Sequence, residues 1–201
     1  AKVGWQTATI WPRNHSWTAM TTSSLFQHIA FIGGGNMASA IIGGLLRQGM
    51  HPGQITVVEP FAETASHLQR HFGVTVLPCA GPALTSAQLV IWAVKPQIFK
   101  EAARPVAVHT RQALHLSVAA GIRTDSICNW LGSARVVRSM PNTPALVGQG
   151  MTALFACPGV SATEKTGIEQ IIATTGQFLW IEKESLLDAV TALSGSGPAY
   201  V

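Results

Sequence analysis

Charge is scarce in this chain: only 11% of its 201 residues are Asp, Glu, Lys or Arg, where about a quarter is ordinary. That scarcity excludes a disordered, self-repelling chain and a nucleic-acid wrapper, since both need dense charge. The formal net charge of +4 does not change this. Lys2 and Arg13 contribute two of the thirteen basic residues, and the others, such as Arg47, Arg70, Lys95 and Arg135, are scattered rather than drawn into a stripe. Cysteine is equally sparse. Cys79, Cys128 and Cys157 are odd in number, far apart and without a C-x-x-C pair, so they read as free thiols of a reducing, cytoplasmic protein. No apolar run approaches the ~18 residues needed to cross a bilayer. Neither H-E-x-x-H, G-x-S-x-G nor a P-loop occurs, nor a carboxylate pair set for hydrolysis. His67 and His71 stand i, i+4 on one helix without further ligands nearby and read as a solvated face, so no metal is expected.

Apolar residues, by contrast, make up 47% of the chain, enough for a sizeable core and for surface that a partner subunit would cover. Residues 1–27 stand apart. Trp5, Trp11 and Trp17 lie among Thr, Ser, Asn and Pro with no helical or strand period, which predicts a non-native or disordered leader, with Met20 as a candidate initiator. A targeting peptide or an interaction arm is the functional alternative.

From residue 28 onward, short apolar runs alternate with helix-period segments. Strands are expected at 28–32, 55–59, 74–77, 89–94, 114–118 and 135–139, and helices at 37–48, 62–72, 97–108 and 124–131, with a short irregular crossover near 81–86. A strand at 151–156, a helix at 162–175 and a strand at 178–181 extend the series. Strands about 20 residues apart with helices between them indicate βαβ units and a parallel sheet. Runs such as IAFIG and LVIWAV are apolar throughout, as strands covered on both faces should be. The expected class is α/β, a Rossmann-like, doubly wound, mostly parallel sheet over 28–185. Gly195-Ser196-Gly197-Pro198 then opens a new helix, so 186–201 is expected to begin a further domain.

Candidate binding residues sit in the loops after strands. The first run leads into Gly33-Gly34-Gly35-Asn36-Met37-Ala38, which fits G-x-G-x-x-G/A. Gly33 permits the tight turn, Gly35 lets backbone approach a pyrophosphate, small Ala38 permits close helix–strand packing, and the helix N-terminus faces the phosphates. Glu59, 24 positions beyond Gly35, occupies the place of the acidic residue that takes a ribose 2′-hydroxyl, which favours NAD(H). Lys95 is held extended by Pro96. Ala119-Ala120-Gly121 leaves room for a flat ring. In Met140-Pro141-Asn142-Thr143-Pro144, two prolines pin Asn142 as a hydrogen-bonding group. All these loops fall at carboxyl ends of strands, where open α/β sheets bind ligands.

In this order, Phe31 to Ala38, Ala93-Val94-Lys95-Pro96-Gln97, Ala119-Ala120-Gly121, Met140 to Pro144 and Asp188 to Tyr200 closely resemble pyrroline-5-carboxylate reductase, especially the bacterial enzymes. The resemblance implies reduction of 1-pyrroline-5-carboxylate to L-proline, the last step of proline biosynthesis, with NADP(H) or alternatively NAD(H). It implies that Gly33, Gly35, Asn36 and Met37 contact the phosphates, that Val94, Lys95 and Pro96 border the ribose and pyrophosphate, and that Ala120 and Gly121 line the nicotinamide. Asn142 and Glu184 are implied near the substrate. It further implies a homodimer or higher homo-oligomer, built through a helical dimerisation domain of which this chain has only the start. Ala80 stands where many relatives carry Asn, and with Glu59 it departs from an NADP preference. Two other readings remain. A hydroxyacid-type dehydrogenase would need a late acid/base Lys, for which only Lys165 and Lys183 are available; a non-catalytic nucleotide-binding module would need none.

Overall fold

A computed structural model describes residues 25–187. The leader through residue 24 and the expectations for Asp188 onward, Gly195 to Pro198 included, lie outside the described residues. The strands are β1 (Ile29–Ile32), β2 (Ile55–Val58), β3 (Thr75–Leu77), β4 (Leu89–Trp92), β5 (Leu114–Ser117), β6 (Val136–Met140), β7 (Gly150–Ala156) and β8 (Gly176–Trp180), of which β1, β2 and β4 are short runs of mostly β-branched and aromatic residues. Between them run α1 (Asn36–Arg47), α2 (Ala62–Phe72), α3 (Pro96–Ala107), α4 (Thr124–Leu131) and α5 (Ala162–Ala173). The third crossover is a single 3-10 turn, Pro82–Ser86, matching the irregular segment expected there. β2, β4 and β5 end one or two residues before the sequence pattern does, where the chain turns into the loops at their carboxyl ends.

The eight strands form one sheet in the order β3-β2-β1-β4-β5-β6-β7-β8. All pairings are parallel except β6 with β7. The fold is thus the expected Rossmann-like one. Chain direction across the sheet reverses between β1 and β4, which opens a crevice at their carboxyl ends. Alternate strand residues feed two cores. Phe31, Ile55, Val57, Ile91 and Leu116 pack with Ile41, Ile42 and Leu45 of α1 and Ile168, Ile171 and Ile172 of α5. On the opposite face Ala30, Ile32, Val90 and Trp92 pack with Phe99, Ala103 and Val106 of α3 and Ile127 and Leu131 of α4.

The boundary of the leader needs correction. Phe26 is buried in the first core and Leu25 packs against it, at the point where a side chain on Gly167 of α5 would collide with both. The irregular spacing of the tryptophans upstream concealed two apolar residues that close the foot of this face.

Candidate functional site

The turn from β1 into α1 is built by contacts that leave it little choice of residue. Gly33 has φ +93°, and a side chain there would meet the Ala93 carbonyl oxygen at 2.6 Å and Val94 at 3.1 Å. Only glycine lets the β1 turn lie this close to the loop after β4. Gly35 differs. It caps α1 in an extended conformation, and a Cβ added to it would find nothing within 4 Å. No described residue requires glycine at that point, so the space beside it is open to an external group. Among the described residues no side chain caps α1, and its first turn holds no acidic residue. Its leading N–H groups, with their partial positive charge, therefore suit a phosphate.

Glu59 is placed differently from the expectation. Its side chain turns under the glycine loop, where Oε2 accepts the Gly34 N–H at 2.9 Å and Oε1 accepts the Phe61 N–H at 2.9 Å. The residue is 7% exposed. Each carboxylate oxygen is thus already engaged with backbone, and the residue holds the loop in shape instead of standing free at a ribose. Spacing alone located it correctly but could not show which way the carboxylate would turn.

Beside α1 lies a cleft of about 310 Å³, lined by Asn36 and Met37 of α1, Val118 and Ala120 after β5, and Met140, Pro141, Asn142, Thr143 and Leu146 after β6. The structure therefore gathers Asn36, Met37, Ala120 and Asn142 in one place, as expected, and adds Val118 and Leu146. Leu146 belongs to the 3-10 turn Thr143–Val147, four residues beyond Asn142, a spacing that could have marked it. Asn142 is fixed by accepting the Met151 N–H on Oδ1 at 3.0 Å, which leaves its amide nitrogen as the donor it can offer the cleft. Among the described residues no ionisable side chain lines this cleft. Gly121, at φ +75°, is exposed at the rim. Lys95 is the extended N-cap of α3 and Pro96 its first residue, both exposed; Val94 joins the site through its contact with the Gly33 turn.

Glu184 is not among the residues that line the cleft. Its Oε1 accepts the Thr124 N–H at 2.7 Å and an Arg138 N–H at 3.0 Å, while Oε2 accepts the Thr124 hydroxyl at 2.8 Å. It thus closes the N-terminus of α4 and pairs a buried arginine. A sequence signal existed, since Arg138 interrupts the apolar run of β6 and a buried guanidinium needs a carboxylate. Its distance of 46 residues from Glu184 hid the partner. Lys165, which a hydroxyacid-type dehydrogenase could have used, lies with Nζ 5.5 Å from the centre of the Trp180 ring and outside the cleft lining. His67 and His71 stack on exposed α2, and among the described residues no group of three or more His, Cys, Asp or Glu could hold a metal.

A strand, a glycine turn and an uncapped helix at the reversal point of a mostly parallel sheet define a Rossmann-like dinucleotide-binding domain. Residues 28–121 match the family described as NADP oxidoreductase, coenzyme F420-dependent. More particularly, the chain is similar to pyrroline-5-carboxylate reductases. It is 44% identical to that of Pseudomonas aeruginosa over 174 residues, 86% of this chain and 64% of the relative. A solved pyrroline-5-carboxylate reductase from Coxiella burnetii aligns with a TM-score of 0.81 at 36% identity, covering 87% of this chain and 66% of that one. The Plasmodium falciparum pyrroline carboxylate reductase, solved with NADP bound, aligns at 0.73 and 26% identity over 86% of this chain and 64% of that one. The chain thus spans just under two thirds of the length of these relatives.

Proposed function

We propose that the cleft binds NADP(H), with NAD(H) as the lesser alternative, and that the whole protein uses it to reduce 1-pyrroline-5-carboxylate to L-proline, closing proline biosynthesis. The observation that carries this reading is a cleft whose described lining holds no ionisable side chain, set against a helix N-terminus that no described side chain caps. A phosphate finds N–H donors there, and a reaction that needs no side-chain acid or base suits the described lining. Reduction of a protonated ring imine meets that condition, because the nitrogen already carries its proton and the carbon accepts hydride directly. When bound, the reduced nicotinamide supplies that hydride.

The chain's own residues position the reactants and exclude water. Gly35, Asn36 and Met37 offer backbone N–H groups to the pyrophosphate, Gly33 lets Val94 close on the loop, and Lys95 and Pro96 border the ribose. Val118, Ala120 and Gly121 flank the nicotinamide, and the Asn142 amide donates towards the substrate. Glu59 acts indirectly, by holding Gly34. Its two oxygens are turned to the Gly34 and Phe61 N–H groups, which fixes the loop that the dinucleotide meets. Glu184 supports the cleft wall by fixing the helix that follows loop 119–121.

A homodimer or larger homo-oligomer is consistent with the exposed Leu146, Val147, Met151, Leu179 and Leu186, and a cytoplasmic location with three free thiols. No helix among the described residues is long and apolar enough to cross a membrane. The test is loss of NADPH absorbance when 1-pyrroline-5-carboxylate is added to the whole protein. Turnover that falls at least tenfold in Asn142→Ala supports the reading, and no turnover with either cofactor overturns it.

A further inference from the structure

The three cysteines lie far apart in sequence, yet the fold brings two of them together. The Sγ atoms of Cys128 and Cys157 lie 3.7 Å apart, in van der Waals contact, across 29 residues of chain. Cys128 sits in the middle of α4, half-buried; Cys157 follows β7 and is buried. Cys157 is held firmly, since its N–H donates to the Val136 carbonyl at 3.0 Å and its own carbonyl accepts the Val160 N–H at 3.0 Å. The antiparallel return of β7 along β6 is what carries it back beneath α4.

We propose that Cys128 and Cys157 are a modification site: a dithiol that takes a small-molecule disulfide as oxidant and closes to an intramolecular disulfide bolting α4 to the end of β7. Moving from contact to the ~2.05 Å of an S–S bond takes about 1.7 Å, which small rotations of the two side chains supply. Cys128, the more accessible thiol, attacks one sulfur of the oxidant RSSR as its thiolate and releases the first RSH. Cys157 then attacks the Cys128 sulfur and displaces the second. Two protein thiols become one disulfide while RSSR becomes two RSH, so atoms and electrons balance.

The pair is set to react slowly. Burial first, then the neighbouring Cys157 thiol and the Glu184 and Asp125 carboxylates, push the Cys128 thiol up to about 12. It therefore rests reduced and yields only to sustained oxidation. The closed loop would contain β6, the cleft residues Met140 to Leu146 and β7, while α4, which Glu184 already anchors, follows loop 119–121 of the same cleft.

The experiment uses Cys79→Ser, which removes the one exposed thiol, and incubates the folded protein with oxidised glutathione. Expected are loss of both remaining thiols, a cross-linked 128–157 peptide by mass spectrometry, and a Tm higher by about 5–15 °C that dithiothreitol reverses. In Cys157→Ala, glutathione is expected to remain on Cys128 as a mixed disulfide. Retention of that adduct in Cys79→Ser with Cys157 still free, or links only between separate molecules, would overturn the proposal.

Discussion

Gly33 and Gly35 share a motif, yet the structure gives them opposite reasons for being glycine. At Gly33 the backbone demands it, so Gly33→Ala is expected to cost about 2–4 kcal/mol through strain at positive φ and collision with the Ala93 carbonyl, measured by denaturant unfolding. At Gly35 nothing inside the protein does. Aspartate is a favoured N-cap, so Gly35→Asp is expected to leave stability within about 0.5 kcal/mol of wild type. The motif was legible in the sequence, whereas this division of labour was not, because it depends on a loop sixty residues away.

His115 belongs to the same scale. It is 1% exposed in β5, and its Nδ1 accepts the Trp92 indole N–H at 3.2 Å. Burial lowers its pKa from 6.5 to about 4; the backbone hydrogen bond to Thr110 opposes this shift and Arg135 adds to it. Above pH ~6.5 the ring is neutral folded or unfolded and has no effect on stability. Between pH ~6.5 and 4 only the unfolded chain takes up the proton, so stability is expected to fall by up to about 3 kcal/mol as pH drops through that window, and no further below it. Unfolding midpoints of wild type and His115→Gln across this range check it: the variant should lack the slope.

At the scale of elements, α1 and α4 pose the same problem of an exposed, partly positive N-terminus and meet it differently. α4 takes a carboxylate from its own chain, Glu184, while α1 takes none. The contrast explains why Glu184 belongs to the scaffold. Glu184→Ala would remove a carboxylate that pairs Arg138, itself 1% exposed, and uncap Thr124. The expected loss is about 3 kcal/mol or more, with NADPH affinity changed less than threefold in protein that remains folded. A large affinity loss at unchanged stability would return Glu184 to the binding site. Helices and parallel strands were legible because their apolar periods are local. Partnerships across 46 residues, as for Arg138 with Glu184, or 29, as for Cys128 with Cys157, were not, since they arise only once β7 folds back antiparallel on β6.

At the scale of the molecule, two cores clamp one sheet, and the start of α1 and the loops after β5 and β6 enclose a cleft in which the described residues place no charged side chain. The whole-chain pattern of apolar runs revealed this architecture in advance. It misplaced only the start, where Phe26 seals the foot of the sheet, and the orientation of side chains such as Glu59. The central claim is that the open space at Gly35 and the bare N-terminus of α1 receive a dinucleotide. The most direct measurement is titration of NADPH into this chain and into Gly35→Asp, followed by calorimetry. Saturable one-to-one binding by the first, weakened at least tenfold in an equally stable variant, is the result the account predicts; equal affinity in both, or no binding by either, would contradict it.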